Sequence, residues 1–144
     1  MNSERLAEWL KGHAAAIALV ETIHDVVELW DDLIDRDCEI EPERINRAFY
    51  ALFVTIPRNG FYQQHFALLN PLIESAILDW HTANALERDE TGPETAYGLR
   101  CTGQAVTTMC ARIIGGVEWA LQVNKELRTA GESYADYAAE FGEK

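Results

Sequence analysis

The stretch Glu21-Thr-Ile-His-Asp-Val-Val-Glu-Leu-Trp-Asp-Asp-Leu-Ile-Asp35 decides how the rest of the sequence is interpreted. Its apolar residues recur with helical spacing, and its carboxylates fall on one stripe of that helix, about 80° wide. The stripe consists of Glu21, Asp25, Glu28, Asp32 and Asp35, with His24 and Asp31 at its edge. Like charges three or four residues apart on a helix repel by about 0.2–0.5 kcal/mol per pair. A helix with this repulsion usually has a bound cation or a basic partner that neutralises part of its charge.

Breaks in the helical spacing divide the chain into four main helices. We predict helices from about Ser3 to Asp35, Pro42 to Pro57, Phe61 to Arg88 and Thr91 to Arg128, and a short helix from Ser133 to Phe141 in the acidic tail. Gly12 is expected to loosen the first helix, Pro71 to bend or split the third, and Gly115-Gly116 to bend the fourth.

Apolar stripes on these helices predict the core. The stripes of the first two helices are Leu19, Ile23, Val26, Val27, Trp30, Leu33 and Ile34, then Ile45, Ala48, Phe49, Leu52, Phe53 and Ile56. Four helices with short links pack most simply as an antiparallel bundle. We therefore predict an all-α fold, an antiparallel bundle of four main helices with a short acidic C-terminal tail, in one domain over residues 1–144. Apolar surface left over by helices of unequal length favours a homodimer.

Charge and cysteine content narrow the classes of partner. The net charge of −12 repels phosphate backbones and anionic lipids, so we expect neither nucleic-acid nor membrane binding. Cys38, Cys101 and Cys110 form no Cys-x-x-Cys pair, and an odd number of cysteines argues against a disulfide framework. With no basic and apolar leader at the N-terminus, these features predict a cytoplasmic protein.

The acidic stripe has two interpretations. It can be a solvated outer face, which is the commonest arrangement of such residues. It can also hold a metal ion, because seven acids between Glu21 and Asp37 are balanced by Arg36 alone. In the second case Glu21, Glu28, Asp31, Asp32 and Asp35 are the predicted ligands. Carboxylates alone suit Mg²⁺ or Mn²⁺.

The third helix offers side chains that could complete such a site. His24, Asp25, Glu74 and His81 are predicted in the first or second coordination shell, and Glu74 and His81 are expected to face the first helix across the bundle core. A structural hydrogen-bond network is the alternative role for Glu74 and His81. A di-iron bundle needs Glu-x-x-His on two helices, and the clear instance here is Glu21-x-x-His24. That count makes the di-iron interpretation the minor one.

Residues 18–37 resemble the first aspartate-rich helix of class I polyprenyl diphosphate synthases. In that family an Ile-His pair precedes an Asp-Asp-x-x-Asp motif, and the matching positions are Ile23-His24 and Asp31, Asp32 and Asp35. The resemblance implies carboxylates that hold Mg²⁺ bound to a diphosphate. It covers about 20 of the 144 residues, and the family's second aspartate motif is absent.

The same spacing is similar to that of the all-α nucleotide pyrophosphatases. Glu28-x-x-Asp31 and Asp32-x-x-Asp35 match their paired acids loosely. Both resemblances imply metal-assisted chemistry at a diphosphate, for which arginines would contact phosphate oxygens. The candidates for phosphate binding are Arg44, Arg47, Arg88 and Arg100.

Two functions follow from these patterns, and the sequence leaves open whether the protein is an enzyme. The first is a metal-dependent hydrolase or transferase that acts on a phosphate or diphosphate ester. The second is a non-enzymatic helical interaction protein, such as an adaptor, inhibitor or accessory factor, whose acidic face binds a basic partner.

Overall fold

The fold is all-α, as predicted. The computed structural model describes residues 2–36, 38–89, 92–131 and 133–143, and within these ranges it contains helices and no strand. In chain order the elements are α1 (Ser3–Trp9), α2 (Ala14–Asp35), α3 (Pro42–Tyr50), a π-helical segment (Ala51–Thr55), α4 (Ile56–Arg58), α5 (Gly60–Gln64), α6 (Phe66–Arg88), α7 (Pro93–Arg100), α8 (Gln104–Gly115), α9 (Val117–Ala130) and α10 (Tyr134–Glu143). Among the described residues, no helix is both long and apolar enough to cross a bilayer.

These elements form two compact units, which we describe separately. Unit 1 comprises residues 1–66 and unit 2 comprises residues 67–144. The single domain and the antiparallel four-helix arrangement stay predictions, since they concern how the two units combine.

The first predicted helix is two helices. Lys11 and Gly12 both adopt positive φ, 50° and 69°, which ends α1 and redirects the chain. Each new helix has its own cap: Asn2 Oδ1 accepts from the Glu4 amide at 2.9 Å, and His13 Nδ1 accepts from the Ala16 amide at 3.3 Å. The prediction of one helix from Ser3 was therefore wrong, because the left-handed turn at Gly12 breaks the helix instead of loosening it.

The buried side of α2 lies nearer its N-terminus than predicted. Its buried residues are Ala16, Leu19, Val20 and Leu29. Leu33 and Ile34 are 46% and 49% exposed, so their assignment to the core was wrong. The first half of α2 is anchored by Asn59, whose Nδ2 donates to the Ala15 carbonyl at 2.9 Å while its Oδ1 accepts from the Tyr62 amide at 2.9 Å.

The second predicted helix is a continuous helical run that changes its winding. Pro57 has no N–H and its ring crowds the carbonyl four residues back. The preceding turn widens, and the Ile56 amide donates to the Ala51 carbonyl in a π-helical bond. No residue of α3 or of the π-helical segment, all of which the structure describes, is buried. The predicted apolar stripe of this helix is therefore not a core face, although Ile56 at its end is buried.

Unit 2 contains a helical hairpin. Thr108 Oγ1 donates to Asn124 Oδ1 at 2.9 Å and Gln104 Nε2 donates to the Leu127 carbonyl at 3.4 Å, so α8 and α9 run antiparallel. Gly116, with φ 89°, makes the turn between them, at the bend that we predicted. Cys110 is buried in α8, as expected for a packing residue, and burial raises the pKa of its thiol to about 12.

The other helices of unit 2 also differ in part from the prediction. Pro71 lies inside α6 without splitting it, whereas the chain breaks earlier, at His65. The fourth predicted helix is interrupted between α7 and α8, at residues 101–103. The predicted tail helix is α10, and its Tyr137 packs in a small core with Ala83 and Ala96.

Candidate functional site

The predicted acidic stripe is real along the middle of α2. Glu21, Asp25 and Glu28 are exposed on successive turns of this helix, and we call these three residues the acidic face. Asp31 and Asp32 are half-buried, while Asp35 is exposed at the last residue of α2. The stripe is therefore partly buried at Asp31 and Asp32 and exposed on either side of them.

His24 is oriented by the acidic face. Its Nε2 lies 3.0 Å from Glu28 Oε1, one helical turn away. In a pair spaced four residues apart the two side chains lie on the same side of the helix. This contact holds the imidazole along the acidic face and gives Glu28 a neighbour that becomes cationic when protonated.

Asp32 is paired with an arginine. Arg44 Nη1 donates to Asp32 Oδ2 at 2.8 Å, and each side chain is about one-third exposed, 31% and 32%. The pair joins α2 to α3. It also brings together a predicted metal ligand and a predicted phosphate-binding residue, with the guanidinium supplying the positive charge at this carboxylate.

An acidic groove lies between α1 and α2. It has a volume of about 170 Å³ and is lined by Ser3, Leu6, Glu21, His24 and Asp25. Leu6 is fully buried behind this groove, so the side chains that a ligand would meet include the two carboxylates of Glu21 and Asp25. Such a lining suits a cationic group.

A second groove, between α2 and α3, has mixed charge. It has a volume of about 330 Å³, and Asp25 and Glu28 line one side while Arg44 and Arg47 line the other. Asp25 therefore lies on the ridge between the two grooves. Of the predicted phosphate-binding residues, Arg44 and Arg47 thus lie together beside the acidic face.

The predicted metal site is not seen as a cluster. In the part of the chain that the structure describes, no group of three or more histidine, cysteine, aspartate or glutamate side chains is arranged to hold a metal ion. Glu74 and His81 are exposed on α6 in unit 2, whereas the acidic face is in unit 1. Their expected position opposite α2 stays a prediction.

Arg100 belongs to a buried network in unit 2. Its Nε and Nη2 donate to the two oxygens of Glu87 at 2.8 and 2.6 Å, and Nη2 also donates to Asn84 Oδ1 at 2.6 Å. The guanidinium lies 4.9 Å from the centre of the Trp80 ring. This bidentate, stacked arrangement occupies the donors that we had considered for phosphate. Arg88 is exposed at the end of α6.

Glu87 and Tyr137 are the residues of this network that the sequence did not indicate. Tyr137 Oη donates to Glu87 Oε1 at 2.6 Å, across 50 residues of sequence. Burial, and then the hydrogen bond to Glu87, raise the pKa of the Tyr137 phenol. The signal in the sequence was a tail in which Tyr134, Tyr137 and Phe141 stand among mostly small and acidic residues, and this pattern does not identify a partner.

Comparison with known proteins finds no match to this chain among protein families, curated proteins or solved structures. The resemblances to prenyl diphosphate synthases and nucleotide pyrophosphatases are accordingly still predictions.

Proposed function

We propose that this protein is a non-enzymatic helical interaction protein whose acidic face binds a basic segment of a partner protein. One observation carries the proposal: Glu21, Asp25 and Glu28 border two grooves of unit 1 instead of projecting from a smooth surface. A carboxylate at the mouth of a groove can pair with a cation whose stem is packed below it. A carboxylate on a smooth surface cannot.

The partner's chemistry follows from the lining of the acidic groove. A lysine or arginine side chain would place its charge between the carboxylates of Glu21 and Asp25, which line this groove. The net charge of −12 would speed the approach of such a partner and disfavour acidic competitors. A helical segment with basic residues on one side fits both the acidic face and the groove.

The test is a binding measurement with a defined peptide. The probe is a helical peptide of lysine and leucine, and its counterpart replaces lysine with glutamate. The variant Glu21→Gln/Asp25→Asn/Glu28→Gln should bind the lysine peptide about tenfold more weakly, because several exposed ion pairs of a few tenths of a kcal/mol each are lost. Isothermal titration calorimetry measures the Kd.

A matched variant separates local recognition from overall charge. Asp89→Asn/Glu118→Gln/Glu140→Gln also neutralises one aspartate and two glutamates, but at exposed positions of unit 2. It should change the Kd by less than about twofold, since none of these three residues lines either groove beside the acidic face. Equal weakening in both triple variants would contradict the proposal.

A metal-dependent hydrolase or transferase acting on a phosphate or diphosphate ester is the second candidate function. It is favoured by Glu21 and Asp25, whose carboxylates line one groove and are oxygen ligands of the kind that Mg²⁺ or Mn²⁺ accepts. Asp31, Asp32 and Asp35 would extend the site, and Arg47 would contact the phosphate.

Two further properties are proposed with these functions. We expect a cytoplasmic protein, because the odd number of cysteines does not fit the disulfide framework of a secreted domain. We also expect a homodimer, formed by a surface other than the acidic face.

A further inference from the structure

The outer side of α3 and the π-helical segment exposes four large apolar side chains. Phe49 is 61% exposed, Tyr50 60%, Leu52 47% and Phe53 74%, and we call these four residues the aromatic face. Phe49 and Phe53 stack on each other with their ring centres 6.2 Å apart. The aromatic face is thus an ordered surface.

The side of the same helical run that meets α2 carries smaller or charged residues. Arg44, Arg47, Ala48 and Ala51 line the groove shared with α2. The large apolar side chains are therefore placed away from their own unit's neighbouring helix. This is the reverse of the usual arrangement, in which the apolar side of a surface helix faces its own core.

The exposed area is of the size that often marks an interaction site. An aromatic side chain carries roughly 150–250 Å² of surface, so three that are three-fifths or more exposed leave roughly 300–400 Å² uncovered. A single contiguous patch of that size is at the level where monomers have an interaction site. Aromatic residues are also the type most enriched in protein interfaces.

The charges around the aromatic face fit a second copy of the chain. Within residues 41–58 two acids, Glu41 and Glu43, are balanced by three arginines, Arg44, Arg47 and Arg58. This segment is close to neutral in a chain of net charge −12, so two copies can approach here without the repulsion expected elsewhere. A basic partner, by contrast, would be attracted to the acidic face; Arg44 and Arg47 lie on the side of this run that lines the groove with α2 and not on the aromatic face.

The order of these charges also fixes an orientation. Glu43 and Arg58 are both exposed, and they lie about 12 Å and about 10 Å from Ala51 in opposite directions along the helical axis. Two such helices placed antiparallel bring Glu43 of each copy beside Arg58 of the other. Their helix dipoles then oppose each other as well.

We propose that the aromatic face binds the aromatic face of a second copy of this chain, with the two α3 helices antiparallel across a two-fold axis. The contact is isologous, so each copy contributes the same residues. The aromatic rings of both copies together supply roughly 600–800 Å², less than the roughly 1,200–2,000 Å² of a stable specific interface, so the dimer is weak and dependent on concentration. This inference does not depend on the basic partner or on a metal.

Sedimentation velocity of the full chain tests the proposal. The wild type should pass from monomer to dimer between about 1 and about 100 μM, the range in which a small interface is half-occupied. Phe49→Ser/Phe53→Ser should stay monomeric throughout while keeping its helical circular dichroism, because neither residue is buried. Leu78→Ser/Leu121→Ser, which changes two side chains of unit 2 that are 60% and 66% exposed, should dimerise like the wild type.

Charge exchange tests the orientation even if the serine variant does not fold. Glu43→Arg and Arg58→Glu should each weaken the dimer several-fold, and the double variant should recover it, since both cross-copy pairs are restored with exchanged signs. A double variant as weak as the single variants would overturn the antiparallel arrangement. A wild type that is monomeric at every concentration would overturn the proposal. So would a chain whose Phe49→Ser/Phe53→Ser variant loses binding of the lysine peptide instead, because the face would then belong to a different partner.

Discussion

Glu87 is a single carboxylate that holds three helices together. It lies on α6 and accepts from Arg100 on α7 and from Tyr137 on α10, and its side chain is only 12% exposed. A carboxylate so nearly removed from water is costly unless each oxygen has a donor. Here both oxygens have one, so this residue fixes the mutual placement of α6, α7 and α10.

Removing the Tyr137 hydroxyl should destabilise the protein measurably. Tyr137→Phe deletes a hydrogen bond to a charged group, so the free energy of unfolding should fall by about 2 kcal/mol. Tyr134→Phe deletes a hydrogen bond to Glu94. At this position, which is 37% exposed, water replaces the lost partner, so the change should cost less than about 0.5 kcal/mol. Urea denaturation measures both, and equal losses would show that the bond to Glu87 has no special weight.

Because the Tyr137 phenol titrates, the difference in unfolding free energy between the wild type and Tyr137→Phe should depend on pH. The folded-state pKa of Tyr137 is raised above its ordinary value of 10.0, so the unfolded chain loses this proton first as pH rises. The contribution is fully present below about pH 10 and declines above it. The stability difference between wild type and Tyr137→Phe should therefore be constant at neutral pH and shrink in alkali.

At the scale of elements, the α8–α9 hairpin depends on one backbone conformation. Gly116 has φ 89°, a value that side chains with a Cβ rarely adopt. Gly60, by comparison, lies at the start of α5 with open space around it. The same substitution should consequently have opposite effects at these two glycines.

Gly116→Ala should lower the free energy of unfolding by about 1–3 kcal/mol, the usual range for a residue forced into a disfavoured conformation. Gly60→Ala should leave it unchanged or raise it by up to about 1 kcal/mol, because alanine is the better helix former. Chemical denaturation of both variants measures the effects. A neutral Gly116→Ala would mean that the hairpin turn relaxes without cost.

At the scale of the whole molecule, the excess of negative charge can attract cations in two ways, as a diffuse ionic atmosphere or at a specific metal site. If the chain is a metal-dependent enzyme, Mg²⁺ at ten times its Kd should stabilise the folded state by about 1.4 kcal/mol, or about 4–5 °C in Tm. Asp31→Ala/Asp32→Ala should abolish this shift. Thermal unfolding in EDTA and then in Mg²⁺ measures it.

The control for this measurement is Asp89→Ala/Glu118→Ala, which removes the same charge from exposed positions of unit 2. It should keep the shift of the wild type. The comparison uses the change caused by Mg²⁺ and not the absolute Tm, because Asp32→Ala also removes the pair with Arg44. If Mg²⁺ changed the Tm of all three proteins equally, charge screening would explain the change and the proposed metal site would be wrong.

The sequence was sufficient to predict the fold class and some of the helix boundaries that glycine and proline set. Gly115-Gly116 marked a real turn, and Pro42 a real helix start, because these residues act through their own backbone. The break at His65 carried no such signal. Nor could helical spacing tell which element covers an apolar side, so Phe49 and Phe53 were assigned to a core that they do not join.

The candidate site was predictable only in part, for a similar reason. Periodicity placed Glu21, Asp25 and Glu28 on one side of α2 correctly. It could not show that Arg44 would neutralise Asp32, or that Glu87 would meet a tyrosine 50 residues away, because such pairs depend on tertiary structure. Local patterns specify a surface; the groove beside it is made by another helix.

Pro57 has an effect that reaches one turn back along the chain. The winding that it forces on Ala51–Thr55 takes more residues per revolution than an ordinary helix, so side chains four apart come closer to vertical alignment. Phe49 lies before the start of the π-helical segment and Phe53 lies within it, and their two rings stack on each other. The angle at which these two rings are presented is thus set by Pro57, which lies after them in the chain, and a chain without that proline would present the rings at a different angle.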